Sequence, residues 1–253
     1  MNYSRRKFVQ TTALLGFAGV FGFNFANATN TDANHNLNKK GATMKIAILA
    51  ASGRVGKLIT DEALAKGYAV SAFVRDNKKL SPKPNLTIIQ KDIFSLNASD
   101  LQGFDVVIDC FGEWKQLDLH KKHIEHLVKI LKGNKAKFLV VGGAGSLYMD
   151  KSHTTQLIDT PNFPDEYKPL ANAQTEGLKV LRGVSDINWV FVSPPAEFVA
   201  DAPKTGKYKI IGEEFEVNDK GESKGSYADY ASAMIEIAEN PKYSKQRVGV
   251  IGL

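Results

Sequence analysis

The sequence predicts an α/β protein with a doubly wound, mostly parallel β-sheet that carries helices on both faces. The first observation is the uninterrupted apolar run 46–50, which is typical of a strand buried on both faces of a parallel sheet. The second is the alternation of strand-length apolar runs with helix-period segments from there to residue 192. The third is that glycines and other small residues follow two of these runs, at 50–56 and 142–146. These patterns predict a single domain over residues 44–253.

The order of elements follows from changes in hydrophobic period and from turn residues. Strands are predicted at 46–50, 69–74, 86–89, 104–110, 138–141, 188–192 and 247–251. Helices are predicted at 57–66, 117–131, 171–181 and 227–238. Gly67 is expected to end the first helix, and Gly212 is predicted as the turn of a β-hairpin over 207–217. The last part of the chain is therefore expected to form a small C-terminal subregion on the substrate side of the sheet.

Composition and charge are those of an ordinary globular protein. The chain has 253 residues, of which 43% are hydrophobic and 24% charged, with a net charge of +6. Three of the basic residues lie in 1–28, which holds no acid, so the remainder carries +3 and gives no argument for nucleic-acid binding. The single cysteine, Cys110, excludes an intrachain disulfide and is expected to act as a small buried hydrophobe.

The N-terminal segment 1–28 has the pattern of a bacterial export signal of the twin-arginine type. Arg5 and Arg6 precede a moderately apolar run, 13–23, and Ala26-Asn27-Ala28 provides a small-x-small cleavage site. The apolar run is shorter than the roughly 20 residues that a membrane-spanning helix needs. We therefore expect a periplasmic protein with a flexible linker at 29–43; an uncleaved signal that tethers the domain to the membrane is the alternative.

The small-residue turn after the first strand is predicted to bind the pyrophosphate of a dinucleotide. Free backbone N–H groups and the dipole of the following helix favour an anion there. The residues of this predicted site are Ala51, Ser52, Gly53, Arg54, Val55 and Gly56. Ala50 stands where a glycine is usual, and we expect it to keep a negative φ. The alternative is a turn whose glycines serve only helix packing.

Residues at the ends of the next strands are predicted to recognise the rest of the cofactor. Arg75 ends the second strand, where an arginine pairs with the 2′-phosphate of NADP; Asp76, which follows it, leaves NAD open. Asp92, with Ile93, lies where a carboxylate accepts from adenine, or else it caps the next short helix. Gly112 is expected on the ribose or nicotinamide side.

The carboxyl ends of the fifth and sixth strands are predicted to face the nicotinamide and the substrate. Gly142 and Gly143 leave room for a ligand, and the turn Ser193-Pro194-Pro195 is expected to flank the nicotinamide carboxamide. The long connection 147–169 is interpreted as a lid with aromatic side chains. Candidate catalytic residues are Ser146, Tyr148 and Tyr167.

Three histidines on the predicted helix 117–131 raise the question of a metal site. His120, His123 and His126 are spaced i, i+3, i+6, and no cysteine or carboxylate cluster joins them. We therefore predict no metal and interpret them as part of a solvated basic face.

These motifs together resemble the atypical short-chain dehydrogenase/reductase proteins, in their NAD(P)H-binding, NmrA-like NADH-flavin reductase branch, with biliverdin reductase B-like flavin reductases as relatives. The matching segments are 51–56, 74–75, 140–147, 163–164, 166–169, 193–194, 205–208, 226–227 and 229–231. The resemblance implies a Rossmann-type fold and a nicotinamide cofactor. It covers nearly all of 44–253.

The Tyr-x-x-x-Lys pair of ordinary short-chain dehydrogenases is absent, because Ala171 follows four residues after Tyr167. Ketone chemistry needs such a proton donor, whereas reduction of a flavin mainly needs orientation and a stacking surface. We expect hydride transfer from NADPH to a small planar acceptor, with flavin as substrate rather than bound cofactor, in a monomer or weak homodimer. Alternatives are a non-catalytic NADP-binding redox sensor and an epimerase or dehydratase of the extended short-chain group.

Overall fold

The computed structural model describes residues 43–253, which form an eight-stranded, mostly parallel sheet with two helices on each face. The strands are β1 Lys45–Leu49, β2 Ala69–Val74, β3 Leu86–Gln90, β4 Val106–Asp109, β5 Lys137–Val141, β6 Asn188–Ser193, β7 Glu197–Val199, β8 Tyr208–Ile211, β9 Lys224–Ser226 and β10 Gln246–Gly252. The helices are α1 Arg54–Ala65, α2 Leu119–Ile130, α3 Lys168–Arg182 and α4 Tyr227–Glu239. The fold is the predicted Rossmann-type α/β fold in a single domain.

The strand order is β3-β2-β1-β4-β5-β6-β10-β8. All pairs are parallel except β8 with β10. The chain passes outward from β1 to β2 and β3, then returns to the other side of β1 with β4. This reversal puts a topological switch point between β1 and β4, which is where open α/β sheets bind ligands at their carboxyl edge.

The core consists of two apolar layers, one on each face of the sheet. Side chains of α1 and α4 pack on one face, and those of α2 and α3 on the other. Strand residues alternate between the layers: Ile46 and Ile48 face α1 and α4, whereas Ala47 and Leu49 face α2 and α3. Because both faces are covered, the central strands are continuously apolar, which is why the sequence predicted them well.

Two sequence predictions about elements were wrong. No hairpin forms at 207–217, because β8 pairs antiparallel with β10 and the chain after Gly212 hydrogen-bonds to Tyr148 instead. Helix α1 begins at Arg54, so Gly56 lies inside its first turn rather than before it. A small parallel pair, β7 with β9, was not predicted.

The predicted export signal, 1–28, and the predicted linker up to residue 42 lie outside the described residues. Between residues 43 and 253, no helix has both the length and the apolar character that a membrane crossing requires.

Candidate functional site

The carboxyl ends of β1 and β4 lie side by side and form the floor of the candidate site. The N–H of Cys110, just after β4, donates to the carbonyl of Leu49 at the end of β1 (3.1 Å). The turn after β1 and the turn after β4 therefore form the two walls of the crevice at the switch point. Gly112 borders open space, since a side chain there would meet no protein atom within 4 Å.

The turn after β1 presents an uncapped helix N-terminus to this crevice. Gly53 is the N-cap of α1; it is exposed and supplies no side-chain acceptor, and the first turn of α1 holds no acid. The first N–H groups of a helix have no partner inside it, and the helix dipole is positive there. An anion such as a pyrophosphate fits this position.

Gly56 lets α1 pack directly on the turn. A Cβ at Gly56 would lie 2.9 Å from the Ala50 carbonyl oxygen and 3.0 Å from both Cα and O of Ala51. These are backbone atoms, so they have no rotamer through which to move away. Gly53 differs, because a Cβ there would only touch the Ala50 oxygen at 3.4 Å. The two glycines thus have separable roles: Gly56 serves the packing of α1 and Gly53 leaves the ligand side of the turn open.

Ala50 adopts a left-handed backbone with φ of 52°, so the expectation of a negative φ was wrong. The N–H of Gly53 donates to the Ala50 carbonyl (3.1 Å) and closes a tight turn directly after this left-handed residue. The turn therefore keeps the geometry of the glycine motif at the cost of a strained alanine, about 1 kcal/mol or more.

The end of β2 carries the basic group predicted to select the cofactor. Arg75 is exposed, and Asp76 accepts a hydrogen bond from the Lys78 N–H (3.1 Å) as the cap of a short 3₁₀ turn. The backbone N–H of Lys115 and, more weakly, the Arg75 guanidinium hold the pKa of the Glu113 carboxyl below its ordinary value. The charge of Arg75 is therefore near enough to act on Glu113, in the turn after β4.

At the end of β3, Asp92 caps the next 3₁₀ turn by accepting from the Phe94 N–H (2.9 Å). Ile93 is buried in the layer beneath α2. The capping alternative is thus what the structure shows for Asp92, and contact of these two residues with adenine remains a prediction.

The ends of β5 and β6 are joined and hold a buried hydroxyl with no partner. The N–H of Gly142 donates to the Val192 carbonyl (2.8 Å), and the next residue, Ser193, is fully buried. Within residues 43–253 the Ser193 hydroxyl has no hydrogen-bond partner. An orphan buried hydroxyl at the carboxyl edge fits a polar ligand group such as a carboxamide. Pro194 and Pro195, which follow, are buried as well.

Gly143 leaves space for the Gln174 side chain of α3 beside the turn after β5. A Cβ there would overlap the Gln174 amide, 2.1 Å from its oxygen. The turn 142–146 is therefore packed against α3 rather than open on both sides.

Ser146 and Tyr148 each hydrogen-bond to an arginine side chain. The buried Ser146 hydroxyl accepts from Arg247 (3.3 Å), and the Tyr148 hydroxyl accepts from Arg182 (3.4 Å). Arg182 ends α3, and Arg247, the second residue of β10, lies in register with Phe191, two residues before the end of β6. The structure thus engages both predicted catalytic residues in hydrogen bonds with arginines, and their roles in catalysis stay a prediction.

Tyr167 lies at the N-cap of α3, on the carboxyl edge, and is 41% exposed. Its hydroxyl forms no hydrogen bond with residues 43–253. The segment before it is folded rather than loose, with 3₁₀ turns at 157–159 and 165–167 and a bridge from Tyr148 to Gln156.

The histidines of α2 were predicted to be solvated, and for two of them this was wrong. His120 and His123 are buried, at 4% and 3% exposure, because they point from α2 onto the end of β4. His123 pairs with the buried Asp109 carboxylate (2.8 Å) and His120 with the Glu113 carbonyl (2.9 Å). Within the described residues, no group of histidine, cysteine and acidic side chains is arranged to hold a metal ion.

Cys110 packs against the core as predicted. Burial, with the neighbouring Asp109 charge, raises the pKa of its thiol well above the ordinary value. The thiol is therefore unreactive at neutral pH.

Comparison with known proteins identifies the family. A family model described as NAD(P)H-binding matches residues 50–241. The uncharacterized protein YwnB of Bacillus subtilis is 43% identical over 210 residues, which cover 82% of this chain and 98% of that protein. A crystal structure from Streptococcus pneumoniae, described as a putative NADH-flavin reductase, is 46% identical, covers 83% of this chain and 100% of its own, and superposes with a TM-score of 0.79. A Burkholderia pseudomallei structure, described as a putative exported protein, is 31% identical, with coverage of 83% and 100% and a TM-score of 0.74.

These likenesses extend over the whole sheet and include the glycine turn, the switch point and the ends of β5 and β6. Three features of the site agree with these likenesses in indicating a dinucleotide. They are the uncapped N-terminus of α1, the close packing of Gly56 on the turn after β1, and the Ser193 hydroxyl, which has no hydrogen-bond partner within residues 43–253. The chain belongs to the NAD(P)H-binding family.

Proposed function

We propose that the protein is an NADPH-dependent oxidoreductase that passes hydride to a flavin or a similar planar acceptor. The observation that carries the proposal is that neither candidate tyrosine is part of a tyrosine–lysine proton donor. The Tyr148 hydroxyl accepts a hydrogen bond from Arg182, and the fourth residue after Tyr167 is not a lysine. A site without a tyrosine–lysine pair suits an acceptor that takes its proton from water. The name of the pneumococcal structure supports the same acceptor class.

The bound nicotinamide would supply hydride from its C4 atom. The residues of the chain would orient it: the N-terminus of α1 holds the pyrophosphate, and Ser193 offers its buried hydroxyl to the carboxamide. The exposed ring of Tyr167 borders the space where an acceptor would stack. Hydride transfer between two stacked rings needs alignment more than acid catalysis, which is what a rigid edge with few free acids provides.

NADP is the form of the cofactor that we propose. NAD recognition at the end of β2 uses an acidic side chain to accept the ribose 2′-hydroxyl, and the acid at this position, Asp76, already caps a backbone turn. Arg75, by contrast, is exposed just after the end of β2, and its charge acts on Glu113 in the turn after β4. A guanidinium forms strong, bidentate hydrogen bonds with a phosphate.

Replacing Arg75 with alanine is expected to weaken NADPH and spare NADH. Loss of charge-assisted hydrogen bonds to the 2′-phosphate, about 1.5–3 kcal/mol, raises the dissociation constant for NADPH roughly 10- to 100-fold. The dissociation constant for NADH, which lacks this phosphate, should stay within about twofold by the same reasoning. Lys79→Ala serves as the control, because it removes another exposed positive charge, five residues after the end of β2. Equal losses for both cofactors would contradict the assignment.

We also propose that the domain acts after export. The support is the Arg5-Arg6 motif followed by a short apolar run and the Ala26-Asn27-Ala28 site. A route that carries folded proteins would deliver the domain with its cofactor in place. Fractionation of cells that produce the full chain should find it in the periplasm, and Arg5→Lys with Arg6→Lys should retain it in the cytoplasm. A wild-type chain that stays cytoplasmic would refute this proposal.

A further inference from the structure

The turn after β4, residues 110–113, forms one wall of the cofactor crevice, and its hydrogen bonding to the sheet ends with the bond from the Cys110 N–H to the Leu49 carbonyl. What fixes this turn lies beneath it, in helix α2. Asp109 accepts the Phe111 N–H through Oδ1 (3.0 Å) and meets His123 Nε2 through Oδ2 (2.8 Å). His120 Nε2 donates to the Glu113 carbonyl (2.9 Å). The turn is therefore attached to α2 at both of its ends.

The Phe111 ring fills the space between the two histidines. It lies 4.2 Å from the His123 ring at 31° and 5.6 Å from the His120 ring at 74°. Asp109, His120 and His123 are all at most 4% exposed. Buried polar groups that satisfy one another in this way restrict a segment to one geometry.

The hydrogen bonds of His123 also show which of its ring nitrogens carries a hydrogen. His123 Nδ1 is 2.9 Å from the Leu119 carbonyl oxygen, which can only accept, so Nδ1 carries a hydrogen. The contact between Nε2 and Asp109 Oδ2 needs one hydrogen more, on the ring or on the carboxyl group. This hydrogen bond between His123 and Asp109 links the β4 turn to α2.

We propose that Asp109, His120 and His123, hereafter the buried clamp, are positioning residues that hold the turn 110–113 in the geometry that the cofactor requires. The clamp does not touch the cofactor; it acts through the backbone of Phe111 and Gly112. The inference rests on the cofactor site proposed above and assigns a role to buried groups that hydride transfer itself does not use.

Two variants, Asp109→Ala and Asp109→Asn, distinguish a positioning role of the buried clamp from a contribution to stability alone. Alanine removes both bonds of the carboxylate. Asparagine keeps both, because its amide can donate to His123 Nε2 while its oxygen accepts the Phe111 N–H. In the cofactor-free full chain, we expect Phe111 amide exchange to be at least roughly tenfold faster in Asp109→Ala than in wild type or Asp109→Asn.

Binding of NADPH and of NADH, measured below the unfolding temperature of each variant, should follow the same order. A misplaced turn weakens the cofactor roughly tenfold or more in Asp109→Ala, with Asp109→Asn within about threefold of wild type. His126→Gln, on the same helix, is the control, since His126 Nε2 has no hydrogen-bond partner within residues 43–253. If Asp109→Ala does not fold, His120→Leu provides the test, because it removes the hydrogen bond to Glu113 at the other end of the turn. Cofactor binding is then expected to weaken about fivefold.

Unchanged exchange of the Phe111 amide, or unchanged cofactor affinity in a destabilised Asp109→Ala, would overturn the proposal, because a merely structural pair lowers the unfolding temperature alone. Both measurements are made without an acceptor. A protein that binds NADPH and reduces no flavin would therefore refute the proposed function and leave the clamp to be judged by these results.

Discussion

Replacing Gly56 with alanine should lower the free energy of unfolding by about 2 kcal/mol, as overpacking against atoms that cannot move does. The added methyl group would lie within 3.0 Å of backbone atoms of Ala50 and Ala51, so α1 must shift away from the turn. The shift also moves the helix N-terminus that is proposed to bind the pyrophosphate. NADPH affinity should therefore fall at least about tenfold. Thermal unfolding and fluorescence titration with NADPH measure the two effects.

Gly53→Ala is the matched variant, because its methyl group points to the ligand side of the same turn. Its φ of −67° is ordinary and its closest contact would be 3.4 Å, so the unfolding temperature should change little. Cofactor affinity should nonetheless fall, since the backbone must approach the phosphates closely there. A Gly53→Ala protein that binds NADPH normally, or a Gly56→Ala protein of wild-type stability, would show that these roles are misassigned.

Replacing Glu213 with glutamine should destabilise the domain by about 3 kcal/mol, the lower range for removing one partner of a buried ion pair. The Arg247 side chain is fully buried, whereas Glu213 is 27% exposed. The Glu213 carboxylate accepts from Arg247 Nε (2.8 Å) and from Arg182 (2.7 Å). Glutamine keeps the shape but leaves a buried guanidinium, which does not lose its proton, without its counter-charge.

Arg247→Met should cost less, about 1–2 kcal/mol, because Glu213 keeps both solvent and Arg182. Arg182→Met, which removes only a partly exposed partner, should cost less than about 1 kcal/mol. The double variant Glu213→Gln with Arg247→Met should be more stable than Glu213→Gln alone, since no buried charge is left. Denaturant unfolding of the four proteins gives these values; a larger loss in Arg247→Met than in Glu213→Gln would contradict the argument.

The sheet could be predicted from the sequence because its central strands are covered on both faces. A strand such as β1 reads as a continuous apolar run whatever its neighbours are. The partner of β8 could not be predicted in this way. Its residues fit an antiparallel edge strand, and local pattern does not distinguish pairing with the following segment from pairing with β10, which comes more than thirty residues later.

The two histidines of the buried clamp did carry a signal in the sequence. His120 and His123 each precede a core residue, Ile124 and Leu127, by four positions, which places all of them on the buried side of α2. The prediction from the sequence instead grouped all three histidines with the neighbouring lysines as one solvated basic face. What the sequence could not supply is the partner, since Asp109 lies on another element and pairs through the fold.

The hydrogen-bond partners of Ser146 and Tyr148 could not be predicted for the same reason, since they too lie on other elements. Both follow a glycine-rich strand end, a position where many sheets hold catalytic groups, so they were reasonable candidates. Ser146 hydrogen-bonds to Arg247, a buried charge whose partners lie 34 and 101 residues away in the chain, and the catalytic roles of Ser146 and Tyr148 stay a prediction. Long-range ion pairs of this kind leave no periodic trace in a single sequence.

Mixing the protein with NADPH and FMN in the absence of oxygen tests the central claim most directly. The account predicts that the absorbance of the reduced nicotinamide and the visible absorbance of the oxidised flavin disappear together, in equal amounts, and faster with NADPH than with NADH. Without oxygen the reduced flavin is not reoxidised, so the two absorbance losses give the stoichiometry directly. A protein that binds NADPH but leaves both absorbances unchanged with FMN, FAD and riboflavin would contradict the account.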